Sequence, residues 1–296
     1  MNSNGRVKDL IRALLYLLPA SIVLMVFHIY PVVKTLDMSF YTKYNYFKNI
    51  VFERGFDNYL YLFNDEEFWI ALKNTLLFVL GVVPVSLGLS LIIAVLLSKN
   101  NLMNKVLRSI YFIPFVTSTV AISAVWRWIF HSEFGILNYF IGILGVNKVK
   151  WLTDPRWSLI SLIILCVWKG LGYNIVILLG GLKNIDQQFN NSALVDGAGW
   201  WNRFIYITIP LLSPSIFFVS IMTMISSFKV FDEVYILFDK MPGPLNSCMT
   251  MVYYIYDKFA NKYMYGIAAA AVYVLFIIVL IITLFQMYIG KKKVHY

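Results

Sequence analysis

Six long apolar segments constrain the fold of this chain more than any other feature of its sequence. Each has about 20 residues or more, the length that a helix needs to cross the ~30 Å hydrocarbon core of a bilayer. Only 14% of the residues are charged, whereas a soluble domain carries about 25%. No soluble module or low-complexity linker separates the segments, so we expect one transmembrane domain over residues 1–296. The sequence predicts an all-α integral membrane protein with spans at about 11–30, 70–97, 107–130, 157–181, 204–228 and 266–289.

Lys and Arg are distributed unevenly between the two sets of loops. If the N-terminus is cytoplasmic, the inner segments hold 11 Lys and Arg against 3 Asp and Glu, and the longer outer loops hold 11 against 12. This is the positive-inside pattern, and it predicts that both termini are cytoplasmic. The net charge of +10 then reports topology and indicates no nucleic-acid partner. The inner segments are about 1–12, 98–108, 182–203 and 290–296, and the outer loops about 31–69, 131–156 and 229–265.

The sequence lacks the motifs that would support ATP hydrolysis or covalent chemistry. The nearest approach to a phosphate-binding loop, Gly290-Lys291, is followed by Lys292 in place of Ser or Thr. The three histidines are scattered without the i,i+4 spacing of a metal site, and Cys166 and Cys248 lie in a span and an outer loop. We therefore expect no catalytic residue, no metal site and no cofactor bound by this chain alone.

A polar stretch at 184–203 interrupts the apolar pattern between the fourth and fifth spans. Asp186 is a suitable first cap for a helix, and Asp196-Gly197-Ala198-Gly199 is a turn sequence. A helix this short and polar cannot span a bilayer, so it should lie at the membrane surface and offer one face to a soluble partner. The residues of that face, at i,i+4 spacing, are Ile185, Phe189, Ala193 and Gly197.

Residues 184–214, which include this stretch, closely resemble the EAA loop of importer permeases of the ATP-binding cassette (ABC) class, whose pattern is roughly E-A-A-x-x-x-G followed by I-x-L-P. The matching positions are Asn191, Ser192, Ala193, Gly197, Ile207, Ile209 and Pro210. The resemblance covers nearly all of residues 12–285 and is closest to the six-span carbohydrate permeases of the glycerol-3-phosphate, multiple-sugar and raffinose type. Further matching segments are YFIP at 111–114, WRW at 126–128, WKGLG at 168–172 and SFKVFD at 227–232.

The resemblance implies a type I ABC importer permease fold with six transmembrane helices and a cytoplasmic coupling helix. It also implies a multi-pass subunit of the bacterial cytoplasmic membrane that takes part in the import of sugars or oligosaccharides. The implied partners are a second homologous permease, two copies of an ATPase that bind ATP and Mg, an extracytoplasmic sugar-binding protein, and membrane lipid. The residues that the resemblance assigns to ATPase coupling are Phe189, Asn191, Ser192, Ala193, Asp196, Gly197 and Ala198.

One departure from the family pattern concerns the first two motif positions, where the family's Glu and Ala are Asn191 and Ser192. Asn keeps hydrogen-bonding capacity but loses the charge-assisted bond of a carboxylate, which is about twice as strong as a neutral one. We expect this subunit to couple to the ATPase more through packing. The alternative is that position 191 is solvated and has drifted without consequence.

Polar and aromatic residues inside the spans are the candidates for a substrate pathway. Lys169 lies near the middle of the fourth span, where a charge costs about 2.5–3.5 kcal/mol. Neighbouring aromatic faces and polar groups suit a sugar, whose C–H face packs on rings while its hydroxyls form hydrogen bonds. The alternative is that Lys169 pairs with an acid or reaches a carbonyl between helices. The pathway candidates are Trp168, Lys169, Tyr173, Asn174, Phe228 and Asp232.

Three other functions stay open at the level of sequence. Amino-acid and metal permeases share the EAA loop, so the chain could serve a non-sugar solute. A membrane-embedded enzyme, such as a lipid-linked sugar transferase, would need a cluster of acidic or His residues near one face, and none is evident. A carrier or channel that works alone would not need an ATPase-docking loop. The sequence favours a translocator without an active site of its own.

Overall fold

The computed structural model of the chain describes residues 3–45, 48 and 50–293, with side chains over 12–45, 48 and 50–291. Most of the described residues are helical, and one short hairpin is the sheet structure among them, which confirms the all-α prediction. The strands are β1 (Tyr41–Asn45) and β2 (Ile50–Arg54). The helices before residue 150 are α1 (Ser3–Leu24), α2 (Tyr30–Ser39), α3 (Asp57–Asn64), α4 (Glu66–Leu96), α5 (Leu102–Val116), α6 (Thr119–Ile129) and α7 (Ile136–Ile143). The later helices are α8 (Pro155–Lys183), α9 (Gln187–Val195), α10 (Trp200–Arg203), α11 (Ile209–Phe228), α12 (Asp232–Leu237), α13 (Met251–Tyr256) and α14 (Tyr265–Lys293).

Helices of membrane-spanning length and hydropathy occur where the sequence predicts them. In the part of the chain that the structure describes there are five, or six if one bent pair of helices forms a single span. The five are Arg12–Ser39, Glu66–Leu96, Pro155–Lys183, Trp200–Phe228 and Tyr265–Lys291.

In two of these helices a π turn lies shortly before a proline. The turns are Met25–Ile29, shortly before Pro31, and Phe204–Thr208, shortly before Pro210. Proline lacks the N–H of the regular i→i−4 bond, and its ring clashes with that carbonyl. A π turn shifts the hydrogen bonds to i→i−5, which accommodates the proline without ending the helix. The first helix therefore extends to Ser39, nine residues beyond the predicted end at 30.

The third predicted span, 107–130, is a bent pair of helices in the structure. Leu102–Val116 and Thr119–Ile129 meet at 101°. The break lies at Thr117 and Ser118, which have extended backbone angles, and the Thr117 hydroxyl donates to the carbonyl oxygen of Ile113 (2.8 Å). The polar run of Thr117, Ser118 and Thr119 is too short to divide the apolar segment 107–130, so hydropathy alone did not predict the bend.

The chain divides into two compact units, the first formed by residues up to 65 together with 255–274. Its hairpin is antiparallel, with Tyr41 opposite Arg54. The amide of Asn58 donates to the carbonyl oxygens of Ser39 (2.9 Å) and Tyr41 (3.0 Å), which ties α3 to the start of the hairpin. The prediction of a single domain over residues 1–296 stays a prediction.

A buried ion pair lies within this first unit. The ammonium of Lys258, 2% exposed, is 2.7 Å from the carboxylate of Asp65 and faces the ring of Tyr61. A buried charge is tolerated when a partner of opposite sign compensates it, so the pair holds the π turn Asp257–Asn261 against the end of α3.

The second unit comprises residues 66–254 and those from 275 onward. Its helices α4, α5 and α11 all pack against α8. Gly172 permits the approach of α5, because a Cβ there would be 2.1 Å from the carbonyl oxygen of Tyr111. An apolar cluster of Val79, Met224 and Phe228 fills the contact between α4 and α11. This packing fixes the helices that surround the cavity described next.

Candidate functional site

The polar stretch at 184–203 folds into the short helix that its sequence predicts. The carboxylate of Asp186 caps α9 by accepting from the N–H of Gln188 (2.9 Å). At the other end Gly197 has φ +76°, the N–H of Ala198 donates to Ala193 (2.8 Å), and the N–H of Gly197 donates to Leu194 (3.1 Å). This pair of bonds is a Schellman motif, which requires a left-handed residue at the position of Gly197.

The helix α9 presents its side chains to the outside, and none of its residues is buried. Phe189 is 53% exposed and Val195 88%, although both are apolar. Of the predicted face, Ile185 and Ala193 are half-buried, while Phe189 and Gly197 are exposed. The remaining predicted coupling residues Asn191, Ser192 and Asp196 are exposed, and Ala198 is half-buried. An accessible surface with apolar and small polar groups therefore lies between two helices of membrane length.

A partly open cavity of about 630 Å³ lies among the helices of the second unit. It is lined from α4, α5, α6, α8, α11 and α12 and from the loop between the last two helices. Four of the six predicted pathway residues line it, namely Lys169, Tyr173, Asn174 and Asp232.

The other two pathway candidates lie elsewhere in the second unit. Trp168 is 40% exposed on the opposite side of α8 and meets Trp126 edge to face, with 5.3 Å between ring centroids. Phe228 is 1% exposed and belongs to the apolar cluster with Val79 and Met224. Neither lines the cavity, so their assignment to a pathway stays a prediction that this geometry does not support.

Lys169 forms hydrogen bonds with two other side chains at the cavity wall. Its ammonium donates to the carboxylate of Glu233 (2.8 Å) and to the hydroxyl of Thr119 (2.6 Å). The Lys169 and Glu233 side chains are 17% and 15% exposed. Of the two interpretations left open for Lys169, pairing with an acid is the one observed, and the paired side chains themselves line the cavity.

The contact between Lys169 and Glu233 depends on how the chain reverses after α11. That helix ends at Phe228, and α12 begins four residues later at Asp232. The new helix carries two acidic residues in its first turn, where the helix dipole favours negative charge. Glu233 was not among the residues that the sequence predicted for the pathway, because no local signal pairs it with a residue 64 positions away.

Asn174 links three helices behind the cavity surface. It is 2% exposed, its amide donates to the hydroxyl of Ser86 (2.9 Å), and its oxygen accepts from the hydroxyl of Thr223 (3.4 Å). These residues belong to α8, α4 and α11 respectively. Polar side chains between apolar helices are stabilised by bonds of this kind, so Asn174 holds the wall in place.

An aromatic surface completes the cavity. The rings of Tyr173 and Phe115 stack with centroids 4.9 Å apart and an interplanar angle of 25°. Both line the cavity, as do the hydroxyl-bearing residues Ser226 and Ser227. Flat rings beside hydroxyl and carboxylate groups can bind a solute that has both C–H faces and hydroxyls.

A second ion pair lies in another part of the same unit. The guanidinium of Arg127 donates to the carboxylate of Asp239 (3.1 Å), and this bond lowers the pKa of Asp239 below its usual value. Both side chains are exposed, so the pair contributes little to stability. Across the described residues, no three His, Cys, Asp or Glu side chains gather as a metal site would require.

Comparison with known proteins agrees with these features. Residues 86–294 match the family described as "Binding-protein-dependent transport system inner membrane component". The lactose transport system permease protein LacF of Rhizobium radiobacter is 35% identical over 286 residues, which cover 94% of each chain. The trehalose/maltose transport system permease protein MalF of Thermococcus litoralis is 31% identical over 279 residues, covering 94% of this chain and 93% of the relative.

Solved structures resemble the whole chain as well. A subunit of a bacterial ABC transporter involved in the import of the acidic polysaccharide alginate superimposes with a TM-score of 0.82 at 26% identity. The match covers 97% of this chain and 99% of that subunit. The chain therefore belongs to the family of binding-protein-dependent transport system inner membrane components, the permease subunits of ABC importers.

Proposed function

We propose that this chain is one of two permease subunits of an ATP-driven importer of sugars or oligosaccharides, and that its cavity forms part of the translocation pathway. The observation that carries the proposal is a polar and aromatic cavity of about 630 Å³ within a bundle of membrane-length helices. A sugar fits such a site because its hydroxyls bind polar groups and its C–H faces pack on rings. The names of the relatives, which include lactose, trehalose/maltose and arabinooligosaccharide permeases, support the same substrate class.

In this proposal α9 is the coupling helix that sits on a cytoplasmic ATPase. Its exposed Phe189 and Val195 supply apolar contact area, and Ser192, Ala193 and Ala198 are small enough for close approach. The chain leads from α8 into α9 and from α9 into the helix Trp200–Phe228, so a displacement of α9 acts directly on two helices of membrane length. Asn191 offers the ATPase a neutral amide in place of the family's carboxylate.

The proposed assembly contains a second homologous permease, two copies of the ATPase, which bind ATP and Mg, and an extracytoplasmic sugar-binding protein. A solved relative contains an alginate ABC transporter together with a periplasmic protein bound to an alginate pentasaccharide, which supports the last of these partners. The distribution of Lys and Arg supports cytoplasmic termini, and with them a cytoplasmic α9. The chain has no enzymatic role in this assembly, because the chemistry resides in the ATPase.

A permease for a non-sugar solute is the second candidate. The relatives include an osmoprotective compounds uptake permease protein from Synechocystis at 30% identity, so the same fold serves other named substrates. The cavity favours a sugar over a simple cation or a lipid, because it combines stacked rings with serine hydroxyls and carboxylates.

The proposal is tested by purifying the tagged chain from its native membrane in mild detergent. We expect a homologous permease and a P-loop ATPase to copurify, and ATP hydrolysis to rise when a sugar-loaded binding protein is added. Recovery of the chain alone, stable and without an ATPase, would contradict the proposal and favour a carrier that works without partners.

A further inference from the structure

The charged residues of the cavity balance one another within this chain. Two cationic and two anionic side chains line it, Lys169 and Lys229 against Asp232 and Glu233. Lys229 and Asp232 are exposed and solvated, whereas Lys169 and Glu233 are mostly buried. Electrostatic interactions strengthen as solvent is excluded. Among these four charged residues, Lys169 and Glu233 therefore interact most strongly with a bound solute.

Glu233 occupies the position that an acidic substrate would need. Lys169 is the buried cation of the cavity, and its ammonium already donates to the Glu233 carboxylate at 2.8 Å. A carboxylate on a sugar that bound the remaining N–H of Lys169 would lie beside the like-charged Glu233 carboxylate and be repelled by it. Displacing Glu233 instead would exchange one ion pair for another. It would also leave the Glu233 carboxylate unpaired in a partly buried site, next to Asp232 and the incoming anion.

A neutral sugar meets no such obstacle. One of the three N–H donors of Lys169 points to neither Glu233 nor Thr119, and Glu233 has a second carboxylate oxygen. Both groups can bind sugar hydroxyls while the ion pair stays intact. The stacked rings of Tyr173 and Phe115 accept a C–H face whatever the charge of the sugar.

We propose that Glu233 determines the charge selectivity of this pathway: by pairing with Lys169 it adapts the cavity to neutral saccharides and excludes those that carry a carboxylate. The inference rests on the proposed function, since it assumes that sugars pass through this cavity. It deepens that function by naming the class of sugar and the residue that selects it.

The test uses the purified complex of this chain with its partner permease and ATPase in lipid nanodiscs. Trisaccharides of glucose, galactose and mannose serve as probes, each alongside the same trisaccharide with one primary alcohol oxidised to a carboxylate. Calorimetry gives the dissociation constant of each probe, without nucleotide and again with a non-hydrolysable ATP analogue, so that both orientations of the pathway are sampled. The quantity compared is the dissociation constant of the acidic sugar divided by that of its neutral counterpart.

Two substitutions should move this ratio in opposite directions. Glu233→Gln keeps the shape but leaves Lys169 without its carboxylate, so the ratio should fall about tenfold, the value of one charge-assisted hydrogen bond. Lys169→Gln leaves the two carboxylates without the buried cation, so the ratio should rise. Glu66→Gln, the same change at an exposed position outside the cavity, is the matched control and should leave the ratio unchanged.

The measured ratios of dissociation constants either support or overturn the selectivity proposed for Glu233. A wild-type complex that binds the acidic sugar as tightly as the neutral one would overturn the inference, as would a ratio that neither substitution changes. If Glu233→Gln fails to assemble, the rise expected for Lys169→Gln still tests the inference. Failure of the proposed function has a different signature: the wild-type complex would bind none of the neutral sugars, and no sugar-loaded binding protein would stimulate its ATPase.

Discussion

At the scale of single residues, Lys169 shows how a charge is kept inside an apolar helix bundle. An unpaired ammonium at this depth would be costly, and the structure compensates it with the Glu233 carboxylate and the Thr119 hydroxyl. These three groups come from α8, α12 and α6, so the ion pair and its hydrogen bond join three elements. The same arrangement stabilises the wall and sets the polarity of the cavity.

Removing one member of this pair should destabilise the subunit more than removing both. Lys169→Met leaves a mostly buried carboxylate without a partner, and we expect a loss of about 3 kcal/mol. The double variant Lys169→Met with Glu233→Leu removes both charges and should recover most of that loss. Thermal unfolding of the purified complex measures the difference. Equal losses for the single and double variants would show that the two side chains are not coupled.

At the scale of secondary-structure elements, the contact between α5 and α8 depends on a glycine, which has no side chain to keep the two helices apart. The backbone of Tyr111 and Phe112 lies so close to Gly172 that a Cβ would be 2.1 Å from the nearest atom. The obstacle is backbone, which cannot rotate aside as the end of a flexible side chain can. The bend between α5 and α6 brings Thr119 to Lys169, so this packing also supports the cavity.

Gly172→Ala should therefore separate α5 from α8. We expect a destabilisation of at least about 3 kcal/mol, the upper range for overpacking, with weaker sugar binding as Thr119 moves away. The control is Gly180→Ala on the same helix, where no atom lies within 4 Å of the new Cβ. Thermal unfolding and calorimetry of the two variants provide the comparison. A Gly172→Ala subunit as stable as the Gly180→Ala subunit would contradict the packing described.

The turn after α9 depends on a glycine for a different reason. Gly197 has φ +76° with open space around it, so its requirement is conformational and not steric. A left-handed conformation costs a residue with a side chain about 1–2 kcal/mol. The turn sets the direction in which the chain leaves α9 for the membrane.

Gly197→Ala should weaken coupling while sugar binding in the cavity persists. The strained turn reorients α9, so sugar-loaded binding protein should stimulate ATP hydrolysis severalfold less than in the unmodified complex. Gly199→Ala, two residues later, is the control, because Gly199 has φ −65° and any residue adopts that angle. If both variants hydrolyse ATP as the unmodified complex does, α9 does not couple in the way proposed.

At the scale of the whole molecule, local features were predictable from the sequence and non-local ones were not. Asp186 and Gly197 predict the two ends of α9, because helix capping depends on residues within a few positions of the helix end. The bend after Val116 was not predicted, because a polar run as short as Thr117–Thr119 also occurs within continuous spans. The pairing of Lys169 with Glu233 was not predictable from the sequence either, because it depends on a chain reversal 60 residues downstream of Lys169.

The family resemblance supplied what the residues alone could not. Composition and charge indicate a multi-pass membrane protein, but they do not distinguish an importer subunit from a carrier that acts alone. The EAA-like loop at Asn191–Gly197 made that distinction, and the match over residues 86–294 confirms the family. The cavity then places Lys169, Tyr173, Asn174 and Asp232 together, whereas Trp168 and Phe228 belong to packing surfaces.

The central claim is that this chain conducts a sugar only as part of an ATP-driven complex. The most direct measurement is uptake of a radiolabelled neutral sugar into proteoliposomes that contain the purified complex, with the binding protein outside and ATP enclosed with the ATPase. We predict accumulation above the external concentration that requires ATP, the binding protein and this subunit together. Uptake without ATP, or by liposomes that contain this chain alone, would contradict the account.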